Sequence, residues 1–298
     1  MIHLSAIAGV LIISFSAILV RLAGVSPDTS AFFRGFYALP ILFVLWLRFG
    51  ARGRPPRLQA LALASGLFLG LDLFAWHRAI QWIGAGLATV LANTQILFVG
   101  LAAWLLFGER PRPTVLLGAP LAFAGMVLVS GLGRPDAFGS NPIRGTLFGL
   151  VTGICYSGFL LVYRRSTRPG ETPFGAFFIC TLGVVATTGV GGSLTGELDL
   201  SWSWPAHGWL LALAIGSQVI GWLLIGYALP RLPAVETSIL LLMQPMATVL
   251  WAYLLFAEVL SPVQWWGVAL VLSGVALPLT VPALARRAPV SGEPGAGS

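Results

Sequence analysis

The chain has no lysine. All 17 of its basic residues are arginine, and charged residues fill only 9% of its 298 positions. Soluble domains carry about 25%, so this scarcity excludes a water-soluble protein built around a large core. Cysteine is nearly missing too. Cys155 and Cys180 both fall inside apolar runs, which excludes a disulfide framework. The three histidines are scattered and show no metal-ligand spacing, so neither a cofactor nor a metal is expected. Hydrolase signatures are lacking as well: no HExxH, no GxSxG opening a helix, no close pair of intramembrane carboxylates. An intramembrane enzyme is therefore disfavoured.

What the chain does have is apolar sequence, 57% of it, in long uninterrupted runs. A helix needs roughly 20 apolar residues to cross a bilayer. A transmembrane barrel would show short alternating segments instead. The runs predict an all-α polytopic membrane protein of ten transmembrane helices, at 3–22, 30–48, 59–78, 84–107, 113–131, 145–164, 174–193, 208–229, 235–257 and 262–283. No break between them is long enough for a soluble domain. The first run lacks a basic stretch ahead of it and a small-residue cleavage site after it. It reads as a retained helix rather than a signal peptide.

Arginine sets the expected orientation. With the N-terminus in the cytoplasm, the inner loops and ends hold twelve: Arg48, Arg52, Arg54, Arg57, Arg110, Arg112, Arg164, Arg165, Arg168, Arg231, Arg286 and Arg287. The outer ones hold four: Arg21, Arg78, Arg134 and Arg144. Positive charge favours the cytoplasmic side, so both termini are expected there. The net charge of +7 then fits loops facing anionic lipid and needs no nucleic acid. Trp82, Trp202, Trp204, Trp209, Trp265 and Trp266 fall at the expected outer edges, as interfacial tryptophans do.

A phrase recurs. LLFGERPRPTVLLGAPLAFAG at 105–125 returns as LLFAEVLSPVQWWGVALVLSG at 254–274, an offset of 149. At that offset Gln95 meets Gln244, Glu109 meets Glu258, Pro113 meets Pro262, Gly118 meets Gly267, and Gly125 meets Gly274. The chain therefore reads as a duplicated five-helix unit: a first repeat at 1–132, an outer linker at 133–144, a second repeat at 145–285, and a disordered cytoplasmic tail at 286–298. Five is odd, so the second unit enters from the opposite side and the repeats are inverted. Glu109 then faces the cytoplasm and Glu258 the outside. Inverted halves can exchange conformations and open a central site to one face and then the other.

The two LLFxE phrases, the ten-span layout and Arg34 in AFFRGFYAL resemble the drug/metabolite transporter superfamily, EamA family. The aromatic third span, DLFAWHRAIQWIGAGLATVLANTQ, resembles the YddG-type aromatic amino-acid exporters. The resemblance implies a secondary transporter in the bacterial inner membrane, exporting small amphipathic metabolites, most of all aromatic and other amino acids. Small solutes and the lipid bilayer are its implied partners, and the working unit is taken as a monomer.

Candidate binding residues are polar or aromatic groups far from the span ends, where a charge costs roughly 2.5–3.5 kcal/mol. Asp72 and Trp76 share a face at i, i+4 spacing, as do Gln218 and Trp222. Gln95 and Gln244 correspond across the repeat, and a glutamine amide both donates and accepts. Asn93 shares a face with Thr89. His77 is the one histidine inside a span, on the face of the small-residue pair Gly66 and Gly70. Tyr156 offers an aromatic surface, and Ser16 and Ser157 offer hydroxyls. Structural pairing of Asp72 with Arg34 or Arg78 is the alternative for that carboxylate. A phosphorylated-sugar or nucleotide-sugar transporter is the rival reading. It is disfavoured because the arginines lie at or near span ends rather than where a phosphate would bind.

Overall fold

The structure is a computed structural model and describes residues 2–50, 53–107, 113–129, 137–168, 171–228 and 234–285. Those residues are almost wholly helical. In chain order the helices are α1 (Ile2–Ser14), α2 (Ser16–Ala23), α3 (Pro27–Phe36), α4 (Ala38–Phe49), α5 (Pro56–Ala92), α6 (Gln95–Phe107), α7 (Pro113–Val129), α8 (Pro142–Ser166), α9 (Pro173–Thr195), α10 (Ala206–Ala212), α11 (Trp222–Ala228), α12 (Ala234–Phe256) and α13 (Pro262–Ala285). A π-helical stretch, Leu213–Gly221, joins α10 to α11. Among the described residues six helical segments are long and apolar enough to cross a membrane, and three shorter apolar ones stand at Leu116–Val129, Met243–Phe256 and Pro262–Leu277. One of the six, Pro56–Ala92, turns at Gly84 and supplies both the third span and the start of the fourth. Among the described residues the helices are thus consistent with the ten expected spans. Glu109 and the tail at 286–298 lie outside the described residues.

Proline sets where spans begin. Six helices open on it: α3, α5, α7, α8, α9 and α13. The first position of a helix has an orphan N–H in any case, so proline loses nothing there. Side-chain caps complete two of these starts: Ser26 accepts from the Thr29 N–H at 3.1 Å, and Asn141 from that of Arg144 at 3.1 Å.

Two breaks in the spans that wall the centre have a visible reason. At Phe15 the first span parts into α1 and α2. There Thr248 donates to the Ser14 carbonyl at 2.8 Å, and the Trp251 indole donates to the Ser14 hydroxyl at 3.2 Å. Insertion of side chains into the helix ladder is an established cause of such kinks. At Gly84 the backbone takes φ 79°, ψ 171°, which only glycine adopts without strain. A methyl group at Gly84 would also stand 2.6 Å from the Glu258 carboxylate.

The inversion of the repeats can be seen at the contact between α7 and α13. A methyl built on Gly125 would lie 2.6 Å from the Gly267 carbonyl oxygen, and one on Gly274 2.5 Å from that of Gly118. Gly267 is the repeat partner of Gly118, and Gly274 that of Gly125. Position 118 therefore meets the partner of 125, and 125 meets the partner of 118. Such reciprocity is the signature of a two-fold contact, here between two halves of one chain.

Candidate functional site

Half-way along the broken spans lies a small cavity of about 60 Å³, lined by Ile13, Ser16, Arg34, Leu69, Asp72, Leu73, Trp76, Thr89, Ala92, Thr152, Tyr156, Trp222 and Gln244. The first, second, third, fourth, sixth, eighth and ninth spans all contribute. Six of the sequence candidates meet here: Ser16, Asp72, Trp76, Tyr156, Trp222 and Gln244. Aromatic rings make one wall. Tyr156 stacks on Phe159 with centroids 5.7 Å apart, and Trp222 stands edge-on to both at 6.3 and 5.7 Å.

Arg34 corrects the sequence reading. It was set among arginines at or near span ends, yet it lies in the cavity wall and is only 5% exposed. The signal is present in the sequence, because Arg34 is the arginine set furthest from the ends of its expected span. Its guanidinium donates from Nε to the Gln218 amide oxygen at 2.9 Å and lies 5.6 Å from the Trp76 ring centroid, within cation–π range. Asp72 is close enough to act on Arg34 electrostatically, but the two form no direct ion pair. No described residue hydrogen-bonds the Asp72 carboxylate. Arg78, the other expected partner, is bound elsewhere: it holds Asp28 through two hydrogen bonds and reaches Glu197 at 3.2 Å. The cavity therefore presents one guanidinium and one carboxylate, near each other and each with bonding capacity left.

The other candidates stand off the cavity. Gln218 is fully buried behind it and acts on it only through Arg34, and its amide nitrogen has no partner. Ser157 gives its hydroxyl proton to the Ile154 carbonyl at 2.7 Å, within its own helix. Asn93 does likewise toward the Thr89 carbonyl at 2.8 Å, at the break between α5 and α6. Gln95 opens α6, with a buried amide oxygen that has no partner. His77 lines a different space, described next. Gly66 and Gly70 pack α5 onto α9: methyl groups there would lie 2.0 Å from the Cys180 carbonyl oxygen and 2.6 Å from Thr187.

The two ends of the bundle differ. At the tryptophan-rich end a vestibule of about 440 Å³ opens, with Arg21, Ser30, His77, Gln81, Trp82 and Ser140 in its wall. Beside it Glu258, almost fully buried, binds Arg21 and accepts from the backbone N–H groups of Ala85 (2.9 Å) and Gly86 (3.2 Å). A carboxylate at the first amides of a helix complements its orphan donors and its dipole. At the arginine-rich end the loops are drawn together. Arg54 binds Glu171 at 2.5 Å and the Ser166 carbonyl, and Thr172 donates to the Phe49 carbonyl at 2.8 Å. Among the described residues no His, Cys, Asp and Glu grouping could hold a metal ion.

A model of the EamA-like transporter family matches the chain twice, at residues 1–131 and 143–280. The chain belongs to the EamA-like transporter family. An uncharacterized transporter of Archaeoglobus fulgidus is 27% identical over 251 residues, covering 80% of this chain and 83% of that one. The uncharacterized transporter YwfM of Bacillus subtilis is 26% identical over 208 residues, covering 67% of this chain and 66% of its own. Among solved structures, a chain titled only "Crystal structure of protein" superposes with a TM-score of 0.63 at 20% identity, covering 96% of this chain and 99% of that one. This last likeness carries the fold alone. The EamA chain described here is thus a multi-pass membrane transporter of small solutes.

Proposed function

We propose that this transporter exports small zwitterions, aromatic and other amino acids foremost, from the cytoplasm across the bacterial inner membrane. One observation carries the reading: Arg34 and Asp72 share a cavity whose walls include Trp76, Tyr156 and Trp222. A guanidinium suits a carboxylate, an unpaired carboxylate suits an ammonium, and ring faces suit an apolar or aromatic side chain. In the reaction cycle the five-helix halves, 1–132 and 145–285 joined by 133–144, rock about the α7–α13 seam. The arginine-rich end faces the cytoplasm with both termini, and the tryptophan-rich end faces out. Solute enters from the cytoplasm when the Arg54–Glu171 contact is open and leaves through the vestibule when it is closed. The chain works as a monomer.

Arg34 also gives the phosphorylated-sugar reading one observation in its favour, since phosphate needs a cation. Asp72 weighs against it, because a dianion would meet that carboxylate in a site of low dielectric. Uptake of labelled L-phenylalanine into proteoliposomes, challenged with unlabelled amino acids or glucose 6-phosphate, separates the two. Amino acids should compete and the sugar phosphate should not. The opposite order would replace this reading with its rival.

A further inference from the structure

The central cavity, at about 60 Å³, falls far below the roughly 300–1,000 Å³ of small-molecule sites. No amino acid fits there in this conformation. The vestibule, at about 440 Å³, falls within the roughly 300–1,000 Å³ of small-molecule sites. Its wall holds a polar group without a partner. His77 is 1% exposed, and its Nε2 bonds to nothing.

The hydrogen-bond network favours one tautomer of the ring. The Ser30 hydroxyl has one proton and donates it to the Pro27 carbonyl at 3.0 Å. Its oxygen, 2.6 Å from His77 Nδ1, is then placed to accept, with the ring hydrogen on Nδ1. The charged neighbours felt by the ring are Arg34 from the second span and Arg78 from its own. Both are cations, which suits a neutral ring. Asp72 and Asp28 lie on the same two spans, the second of them bound to Arg78. Arg21, with Glu258 bound to it, faces the vestibule from the first span. Nε2 is therefore a bare acceptor. A buried acceptor left unmatched costs about 1–3 kcal/mol, and such a group calls for an explanation. Arg21 supplies the complementary function. Its side chain is 33% exposed, and Glu258 occupies one of its terminal nitrogens. A guanidinium has five N–H donors, so most remain for a ligand.

We propose that the vestibule is a second binding site for the same zwitterionic solute, a release station in which Arg21 receives the carboxylate and His77 Nε2 accepts a hydrogen bond from the solute N–H. This rests on the amino-acid reading of the central cavity. The solute occupies the vestibule once the centre has narrowed behind it, with Trp76 walling the centre and the adjacent His77 walling the exit.

Nitrogen-15 spectra of the full-length chain in lipid nanodiscs test it, with histidine labelled and His77 assigned through His77→Gln. Titration with L-phenylalanine should shift the Nε2 resonance of His77. Titration with 3-phenylpropionate, which keeps ring and carboxylate but has no N–H, should leave it in place. Asp72→Asn, which alters only the central cavity, should retain the phenylalanine response, and Ser140→Trp, which fills the vestibule, should remove it. An unmoved Nε2 at concentrations that saturate L-phenylalanine transport overturns the second site and leaves the central reading standing. A response lost in Asp72→Asn overturns it too, because the signal then came from the centre. A response retained in a wild-type protein that transports no L-phenylalanine upholds the vestibule and sinks the central reading.

Discussion

The α7–α13 seam and the central cavity are built on the same inverted repeat, yet the repeat is used oppositely in each. At the seam, symmetry-related positions hold the same residue, glycine, and the backbones touch reciprocally. At the cavity, the two i, i+4 pairs of the sequence are used differently. Asp72 and Trp76 face the solute space directly, whereas Gln218 is withdrawn behind Arg34 and only Trp222 remains in the wall. The second half also carries a π-helical stretch, Leu213–Gly221, where the first half is α-helical. π-Helical turns cluster at functional sites. The contrast teaches a division of labour. In the proposed cycle, symmetry in the backbone lets two halves exchange shapes about a seam, and asymmetry in the side chains lets one solute be recognised.

The comparison can be broken most sharply at the seam. Gly125→Leu drives a branched side chain into the Gly267 carbonyl. The cost should be at least about 3 kcal/mol, the upper part of the overpacking range. Yield of monodisperse protein and its thermal midpoint should both fall steeply, and a normal midpoint would show the seam to be loose. Next in size, Asp72→Asn should cut L-phenylalanine flux at least tenfold while the thermal midpoint stays near wild type. That pairing of readouts separates recognition from folding. Glu258→Gln weakens the bonds to Arg21 and to two backbone amides. At about 1.5–3 kcal/mol for hydrogen bonds to a charged group, a drop of several degrees in thermal midpoint is expected, measured on protein in nanodiscs. Smallest of all is Asn93→Ala. It removes one bond within its own helix, worth about 1 kcal/mol, and flux should stay within twofold. A large flux loss there would move the fourth-span break into the site.

Much of this was legible before any coordinates. Continuous apolar runs located the crossings, and the helices extend a few residues past the expected edges because prolines such as Pro142 and Pro173 start them early. The repeat offset matched Gly118 with Gly267 and Gly125 with Gly274, and the same four glycines meet crosswise at α7 and α13. The site was legible in part. Spacing put Asp72 with Trp76 on one face, and both do line the cavity. Spacing cannot tell a residue that lines a cavity from one a layer behind it, which is why Gln218 and Ser157 were grouped with Asp72. Nor can it show that Arg78 is already bound by Asp28, a contact between residues 50 positions apart. Arg34 is near a span end along the chain, yet its side chain lies in the cavity wall, a placement that sequence position alone does not reveal. The turn at Gly84 depends on Glu258, in the other half of the chain, and no local pattern announces it.

Counterflow tests the central claim most directly. Proteoliposomes loaded with unlabelled L-phenylalanine should accumulate the labelled amino acid well above protein-free vesicles, and vesicles carrying equally folded Asp72→Asn protein should not. Equal accumulation by the variant and the wild type would contradict a path through the Arg34–Asp72 cavity.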